Sequence, residues 1–456
     1  MNRDYIRAQN NQFVVNGKAI IFRGYGLGNF LNLEHFMLGI PGIESELRLK
    51  IEKSYGRNRA KIFWEKYYEC YVNESDFKFL KEIGINAVRI PFNYHHFEID
   101  QMSSEQMQSD QDTYEFNPAG FKQIDRILSY CEKYKIYGIL DLHAAPGGQN
   151  PDWHSDNRIG ESLFWEIADF RKRVVALWKF IANHYKDNTW VAAYDLLNEP
   201  LLFDANPIVM RDFFEELVQE IRTVDSNHLL FIEGDTYTMD FRAFRPFTDK
   251  NIAATFHLYP MFFKELLSIE REKRKEALEE ILFRSVTLDY IQDVLKMPVW
   301  CGETGALLDS NNREYQESLL EDFLYVLEKH KISWSIWSYK DARSMGSVHP
   351  AENSEWMNFS RRVCYDWNFW EDYNRIFEEV EDIIINKYPT EINQSLKRKL
   401  AYRMLCNYQY VLTERYDSIF SKIPFEELLG YLDSFRFENC EKWEKLINLI
   451  KKYTAV

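Results

Sequence analysis

Eight short runs of β-branched, aromatic and small residues follow one another along this chain, and a stretch with helical periodicity comes after each of them. Strands that alternate with helices in this way form parallel sheets, and eight such units suit a closed barrel. The predicted strands are Ile20–Gly26, Asn86–Pro91, Gly138–Leu142, Val191–Leu197, Leu229–Glu233, Ile252–His257, Val299–Glu303 and Ser333–Ser338. We therefore predict an α/β fold, a (β/α)8 barrel of the TIM type.

An open doubly wound sheet is the alternative arrangement of such units. It usually carries a glycine-rich, phosphate-binding turn after its first strand. The segment Gly24-Tyr25-Gly26-Leu27-Gly28 is rich in glycine, but its spacing differs from GxGxxG. The spacing therefore favours the barrel over a nucleotide-binding sheet.

Long segments interrupt the repeat after three of the strands. Residues 32–69 and 262–294 have helical periodicity, and residues 101–112 are polar and of low complexity. The loops that follow the strands of such a barrel gather on its C-terminal face. We expect all three insertions there, where they would narrow an open cleft into a pocket.

The two ends of the chain differ from the repeat. Asn16-Gly17 between two apolar runs predicts a β-hairpin ahead of the barrel. From residue 391 onward the strand signals stop and helical periodicity remains. We predict a barrel domain over residues 1–390 and a helical extension over residues 391–456, which packs on the barrel or serves homo-oligomerisation.

Charge and composition limit the partners of the protein. A formal net charge of −15 argues against binding nucleic acid through general electrostatic attraction. The chain contains no run of 18 apolar residues, and its N-terminus lacks the basic and then apolar pattern of a signal peptide. Its six cysteines are scattered without CxxC spacing, which is typical of reduced thiols. We predict a cytoplasmic protein with no membrane and no nucleic-acid partner.

Two carboxylates stand at matching positions in the predicted barrel. Glu199 ends the fourth strand in LLNEP, and Glu303 ends the seventh in CGETG. Glycoside cleavage requires one protonated carboxyl, which donates to the leaving oxygen, and one ionised carboxylate, which attacks or stabilises the anomeric carbon. Mutual repulsion is expected to raise the pKa of one member of the pair. An ordinary loop glutamate is the alternative for each residue taken singly.

Polar and aromatic side chains at other strand ends argue against that alternative. Arg89 lies inside an otherwise apolar strand and requires a carboxylate partner, for which Glu303 is the candidate. Such an ion pair would keep Glu303 ionised. The other strand ends carry His143, His257, Tyr259 and Trp337.

The motifs VRIPF, LDLHAAPG, LNEP, HLYP, GETG and IWSYKD occur in this order over residues 13–341. In them the chain resembles glycoside hydrolase family 5. The resemblance implies that Glu199 is the acid/base and Glu303 the nucleophile, and that no cofactor is required. It implies binding roles for six more residues: Asn198 at the sugar 2-hydroxyl, Arg89 and Tyr259 on the nucleophile, His143 and His257 in the reactive subsite, and Trp337 beneath the sugar ring.

The loop after the third strand resembles that of exo-acting members of the family. Its candidate sugar contacts are Gln149, Asn150, Trp153 and His154. Asp152, His154 and Asp156 could form a metal site, but their spacing matches no metal motif, so we predict none.

Two further residues are candidates for substrate binding. Glu34 could bind a hydroxyl of a distal sugar, or it could be a solvated charge at a helix start. His96 could reach the cleft, or it could form an ordinary loop pair with His95.

We predict a retaining glycosidase for small, neutral, β-linked oligosaccharides, with an exo-β-mannosidase as first choice. An exo-β-glucosidase and an endo-β-glucanase are the alternatives within this class. A non-catalytic sugar-binding barrel is an alternative from another class, and the complete set of motifs argues against it. A barrel aldolase would require a lysine at a strand end, for which Lys340 is the candidate.

Overall fold

The computed structural model describes residues 4–99, 114–308, 312–364, 374–379, 382–383, 387 and 394–454. Eight parallel strands close into a barrel, in which strands adjacent in the chain are also adjacent in space. They are β4 (Arg23–Gly26), β5 (Ala87–Asn93), β6 (Tyr137–Ala144), β7 (Val191–Asp195), β8 (Leu229–Glu233), β9 (Ile252–His257), β10 (Val299–Thr304) and β11 (Ser333–Ile336). The prediction of a (β/α)8 barrel is confirmed.

A three-stranded sheet precedes the barrel and comprises β1 (Arg7–Gln9), β2 (Gln12–Val15) and β3 (Lys18–Ile20). Asn16 and Gly17 join β2 to β3 with φ values of +51° and +71°, as the predicted hairpin turn requires. Ile20 therefore belongs to the hairpin and not to the first barrel strand. Phe13 packs on Phe22 and Phe231, so the hairpin covers the N-terminal end of the barrel.

The barrel helices form where apolar residues repeat along one face. Phe121–Tyr134 buries Phe121, Ile124, Leu128 and Cys131, and Lys135 ends it in a left-handed conformation. The other α-helices are His35–Leu38, Glu44–Tyr55, Arg57–Tyr71, Glu74–Glu82, Leu163–Glu166, Ala168–Tyr185, Pro207–Arg222, Asp235–Thr238, Arg271–Ser285, Arg313–Lys329, Glu355–Cys364, Gln394–Thr413, Tyr416–Phe420, Phe425–Tyr431 and Glu444–Thr454.

The three predicted insertions have different outcomes. Residues 32–69 are largely helical, as expected, and residues 101–112 lie outside the described residues. The expectation for residues 262–294 is wrong in part, because Arg271–Ser285 is the crossover helix between β9 and β10 and packs on Arg313–Lys329. Its buried side chains are few (Arg274, Leu278, Ile281 and Leu282), so its sequence shows little amphipathic pattern.

The helix Gln394–Thr413 lies across the C-terminal face of the barrel, and we call it the roof helix. Its buried side chains include Tyr402, Leu405, Gln409 and Thr413, which repeat at helical spacing. The boundary predicted at residues 390 and 391 falls outside the described residues. After the roof helix, β13 (Cys440–Lys442) pairs with β12 (Val348–Pro350), which ties the end of the chain to the segment after β11.

All six cysteines have free thiols. Among the described helices, none combines the length and the apolar character that a bilayer crossing requires.

Candidate active site

The carboxylate at the end of β10 is held by two donors. Glu303 is 4% exposed, and Arg89 from β5 donates from Nη1 to its Oε1 at 2.5 Å. The hydroxyl of Tyr259 donates to Oε2 at 2.6 Å. Donors on both oxygens fix the orientation of this carboxylate.

Three more carboxylates surround Arg89, which is fully buried. Its guanidinium lies 3.1 Å from Asp141, 2.8 Å from Asp195 and 3.3 Å from Glu233. Burial raises the pKa of Asp141 to about 7 and that of Asp195 to about 6, although the charge of Arg89 lowers both. The guanidinium occupies the centre of this cluster, where a metal ion would otherwise be expected.

Glu199 follows β7 in a left-handed backbone conformation, with a φ of +48°. Such a conformation costs a non-glycine residue about 1–3 kcal/mol. Glu233 stabilises it, because its Oε2 accepts the backbone N–H of Glu199 at 2.5 Å. The side chain of Glu199 lies between two imidazoles: His257 Nδ1 is 2.8 Å from Oε1, and His154 Nε2 is 3.1 Å from Oε2.

These imidazoles decide the protonation of Glu199. Burial raises its pKa, but the hydrogen bonds from His154 and His257 outweigh burial and hold the pKa well below its usual range. Burial lowers the pKa of His154, and the bond to Glu199 overcomes this and raises it to about 9. The imidazoles, and not repulsion between the two glutamates, therefore have the dominant influence on the pKa of Glu199. No pattern in the sequence indicates that His154 contacts this glutamate.

The two glutamates lie close together. One carboxylate oxygen of Glu199, one of Glu303 and a ring nitrogen of His257 are all within 4.8 Å of one another. Carboxyl groups about 5–5.5 Å apart suit direct attack on an anomeric carbon, whereas about 6.5–9.5 Å leaves room for an intervening water. The oxygen separation of this pair is nearer to the shorter of the two ranges.

Trp337 follows β11 and forms a flat surface beside the glutamates. Its indole is parallel to the ring of His143, with centroids 5.3 Å apart and an interplanar angle of 2°. A Cβ atom on Gly26 would lie 2.5 Å from this indole, and one on Gly28 would lie 2.7 Å from it. The glycine-rich segment after the first strand therefore makes room for Trp337.

Two polar side chains of the site are held in fixed orientations. Asn198 Oδ1 accepts from Arg89 Nη2 at 2.8 Å, while its Nδ2 is buried and has no partner among the described residues. A buried donor of this kind requires a ligand or a water. His143 Nδ1 is bound to Asp141 at 2.7 Å, which leaves Nε2 for other partners.

Glu34 is 4% exposed, so the alternative of a solvated charge at a helix start is wrong. Its Oε2 accepts from Trp153 Nε1 at 2.9 Å, and its Oε1 lies 3.9 Å from His143 Nε2. Burial raises the pKa of Glu34 to about 8, although His154 lowers it. Trp153 in turn stacks on His35 at a centroid distance of 4.9 Å.

The side chains of Gln149 and Asn150, in the loop after β6, bind backbone carbonyls near the ends of β6 and β7. Gln149 is fully buried, and its Nε2 donates to the carbonyls of His143 and Asn198. Asn150 Nδ2 donates to the carbonyl of Glu199 at 2.9 Å. These bonds use the groups that a sugar contact would require, so we correct both predictions: the two amides position neighbouring residues.

His96 lies elsewhere. Its Nε2 is 2.8 Å from the carbonyl oxygen of Leu31, and its ring contacts those of His95 and Tyr68. The expectation that it reaches the cleft is wrong, because the one-turn helix after β5 turns the ring toward this carbonyl.

Neither the metal alternative nor the aldolase alternative fits the structure. Asp152 accepts from Tyr237, Asp156 from Asn93, and His154 contacts Glu199, so the three residues do not converge. Lys340 is also unsuitable as a reactive amine.

The ammonium of Lys340 is buried, pairs with Asp76 at 2.7 Å and donates to the carbonyls of Tyr71 and Phe435. An amine so occupied is a structural group.

The roof helix contacts the loops that carry the site. The hydroxyl of Tyr402 lies 2.7 Å from that of Tyr237, which donates to Asp152 at 2.6 Å. Gln409 Nε2 lies 2.9 Å from His35 Nε2. The loops after β4, β6 and β8 are therefore connected through one helix.

A closed barrel with two facing carboxylates at its C-terminal end is the arrangement expected of a glycoside hydrolase, and the comparisons with known proteins agree. The model of the family described as cellulase (glycosyl hydrolase family 5) matches residues 50–343. The chain belongs to glycosyl hydrolase family 5.

Among its relatives, a β-xylosidase of Phanerodontia chrysosporium is 33% identical over 473 residues, which cover 96% of this chain and 95% of the relative. Endoglucanase C of Acetivibrio thermocellus is 25% identical and covers 62% of this chain and 88% of its own. A solved hyperthermophilic endo-β-1,4-glucanase, in complex with substrate, has a TM-score of 0.52 and 18% identity over 75% of this chain and 96% of that one. At this identity the last comparison shows the fold alone.

Proposed function

We propose that this protein is a retaining, exo-acting β-glycosidase in which Glu303 is the nucleophile and Glu199 the acid/base. The observation that carries the proposal is the geometry of the pair: oxygens of the two carboxylates lie within 4.8 Å, with donors on Glu303 and imidazoles on Glu199. This separation favours retention of configuration.

The reaction proceeds in two displacements. Glu303 attacks the anomeric carbon while the carboxyl of Glu199 protonates the glycosidic oxygen, so that the aglycone leaves as an alcohol and a glycosyl ester forms. Glu199, now a carboxylate, then takes a proton from water, whose oxygen attacks the same carbon and releases Glu303. The buried N–H of Asn198 is placed to donate to a sugar hydroxyl, and Trp337 offers its face to the ring.

The roof helix supports action at a chain end. An endo-acting enzyme requires a cleft that is open on both sides, so that a polymer can pass through it. Here the loops after β4, β6 and β8 are tied together by Tyr402 and Gln409, and Trp153 and Glu34 lie against the same side. Loops held together in this way favour binding of a terminal sugar over passage of a polymer.

The finer part of the proposal concerns the glycone, which is the sugar that the enzyme releases. The β-xylosidase relative aligns over 96% of this chain and 95% of its own length. We therefore take a β-xyloside as the first substrate to test. The β-mannoside preference indicated by the sequence stays a prediction, and β-glucosides and an endo-β-glucanase activity remain the alternatives.

The test is a panel of nitrophenyl glycosides: β-xyloside, β-mannoside, β-glucoside, β-galactoside and β-cellobioside. We expect release from one monosaccharide glycoside, loss of that release in Glu303→Gln, and initial formation of the β-anomer by proton NMR. Initial formation of the α-anomer would overturn the double displacement. Release from the cellobioside alone would overturn the exo assignment. A folded wild type that binds sugars but releases no nitrophenol would favour the alternative of a non-catalytic sugar-binding barrel.

A further inference from the structure

His154 contacts the acid/base in addition to His257, and nothing in the two displacements requires a second imidazole there. It is 7% exposed and follows β6 in the one-turn helix Trp153–Ser155. Its Nε2 lies 3.1 Å from Oε2 of Glu199, while His257 occupies Oε1 of the same carboxylate. Each oxygen of the acid/base thus has its own imidazole.

We propose that His154 is a positioning residue that stores the proton of the acid/base, so that Glu199 and His154 share one proton and Glu199 receives it from Nε2 when the glycosidic bond breaks. The inference deepens the proposed function and rests on it.

The surroundings of His154 favour a positive charge on its ring. Three acidic side chains face it from three loops: Glu199 after β7, Asp152 after β6, and Glu34 after β4, whose own pKa of about 8 means that it adds negative charge only above that pH. Two imidazoles also face it, those of His143 at a centroid distance of 5.8 Å and of His35. Burial lowers the pKa of both these rings well below the usual range, so they carry no charge to oppose His154. These groups explain why the pKa of His154 is raised to about 9 despite burial.

One contact opposes the charge and keeps the proton transferable. Asn150 Nδ2 lies 2.8 Å from the same Nε2 atom. The amide orientation is set by its other bonds, because Oδ1 accepts the N–H of Asp152 and Nδ2 donates to the carbonyl of Glu199. A donor directed at Nε2 disfavours a proton on that nitrogen. The nearby carboxylates thus favour the ion pair and the Asn150 amide favours the neutral ring, which reduces the preference for either state and suits transfer of the proton.

The proton balance closes over a catalytic cycle. A proton moves from Nε2 of His154 to Oε2 of Glu199, and from Glu199 to the leaving oxygen as Glu303 bonds to the anomeric carbon. In the second displacement, water gives a proton to Glu199 and its oxygen to the sugar. That proton returns to Nε2, so His154 ends the cycle as it began.

The pH dependence gives the test. The pair keeps its single proton until the pH passes the raised pKa of His154, which is about 9. In His154→Asn nothing stores the proton, and Glu199 holds it only up to its own, lower pKa. Above the pKa of Glu199, we expect kcat/KM of His154→Asn on a disaccharide to fall about tenfold per pH unit. The kcat/KM of the wild type should stay level to about pH 9. The matched control is His184→Gln, which removes an imidazole from the outer surface, where its ring stacks on Phe121.

A second readout separates proton storage from a packing role. A 2,4-dinitrophenyl glycoside has a leaving group that departs without protonation, so its kcat/KM should be the same in His154→Asn and wild type at pH 8. Equal losses on the dinitrophenyl glycoside and the disaccharide would overturn the proposal, as would a wild-type pH profile in the variant. A wild type that cleaves no glycoside at all would instead overturn the proposed function.

Discussion

Gly26→Ala tests whether the position of the Trp337 indole limits catalysis. Gly26 ends β4, and its backbone does not adopt a positive φ, so alanine causes no backbone strain there. The added Cβ would lie 2.5 Å from Cε3 of Trp337 and 2.8 Å from Cζ3. Ordinary contact begins near 3.4 Å, so the indole must move by about 0.9 Å.

The magnitude follows from that displacement. A shift of about 1 Å in a substrate-positioning group can cost up to about 100-fold in rate, and overpacking in a filled site costs about 1–3 kcal/mol of stability. We expect kcat/KM for the preferred nitrophenyl glycoside to fall about 10- to 100-fold, with the free energy of unfolding reduced by about 1–3 kcal/mol in urea titrations.

Gly430→Ala is the matched control. A Cβ there meets nothing within 4 Å, and the residue lies in the helix Phe425–Tyr431, where alanine favours the helix by about 1 kcal/mol. Unchanged kcat/KM in Gly26→Ala, with a fold as stable as the control, would refute the inference that Gly26 is required to position the Trp337 indole.

Three further perturbations have definite expected outcomes. Tyr259→Phe removes one donor from Glu303, and because a hydrogen bond to a charged group contributes about 1.5–3 kcal/mol, we expect kcat/KM to fall roughly 10- to 150-fold without loss of fold by circular dichroism. Lys340→Met leaves Asp76 buried without its cation, so the free energy of unfolding should fall by about 3–5 kcal/mol, and adding Asp76→Asn should restore part of it. Burial raises the pKa of Asp156 to about 7 from an ordinary value of about 3.9, so its stabilising protonation is complete below pH 4 and lost between pH 4 and 7. Asp156→Asn should therefore match wild type in urea titrations at pH 4 and exceed it at pH 8, and equal stability at both pH values would contradict this sign.

The strand periodicity predicts all eight barrel strands to within a few residues, because a buried parallel strand leaves a nearly continuous apolar run. The same logic places Arg89, Glu199 and Glu303 together, since the C-terminal strand ends of a barrel meet at one face. The crossover helix Arg271–Ser285 has a weaker sequence signal. It buries few apolar side chains, so its charged sequence gives no clear face.

The residues that the sequence does not reveal are those whose role depends on long-range contacts. The apolar strand runs contain three carboxylates, those of Asp141, Asp195 and Glu233. Acidic residues in such runs could have indicated buried partners for Arg89. No local pattern connects Tyr402 to a loop residue some 165 positions earlier in the chain. Gln149, by contrast, looks like a sugar contact by position, and only its bonds to two carbonyls assign it to the scaffold.

The roof helix has a consequence for biosynthesis. A nascent chain that has emerged as far as Cys364 already contains all eight barrel strands and both glutamates, but none of residues 394–413. Until Tyr402 and Gln409 reach the loops, the barrel mouth lacks the contacts that tie those loops together. The contacts that hold these loops together thus cannot form before the last fifth of the chain has been synthesised.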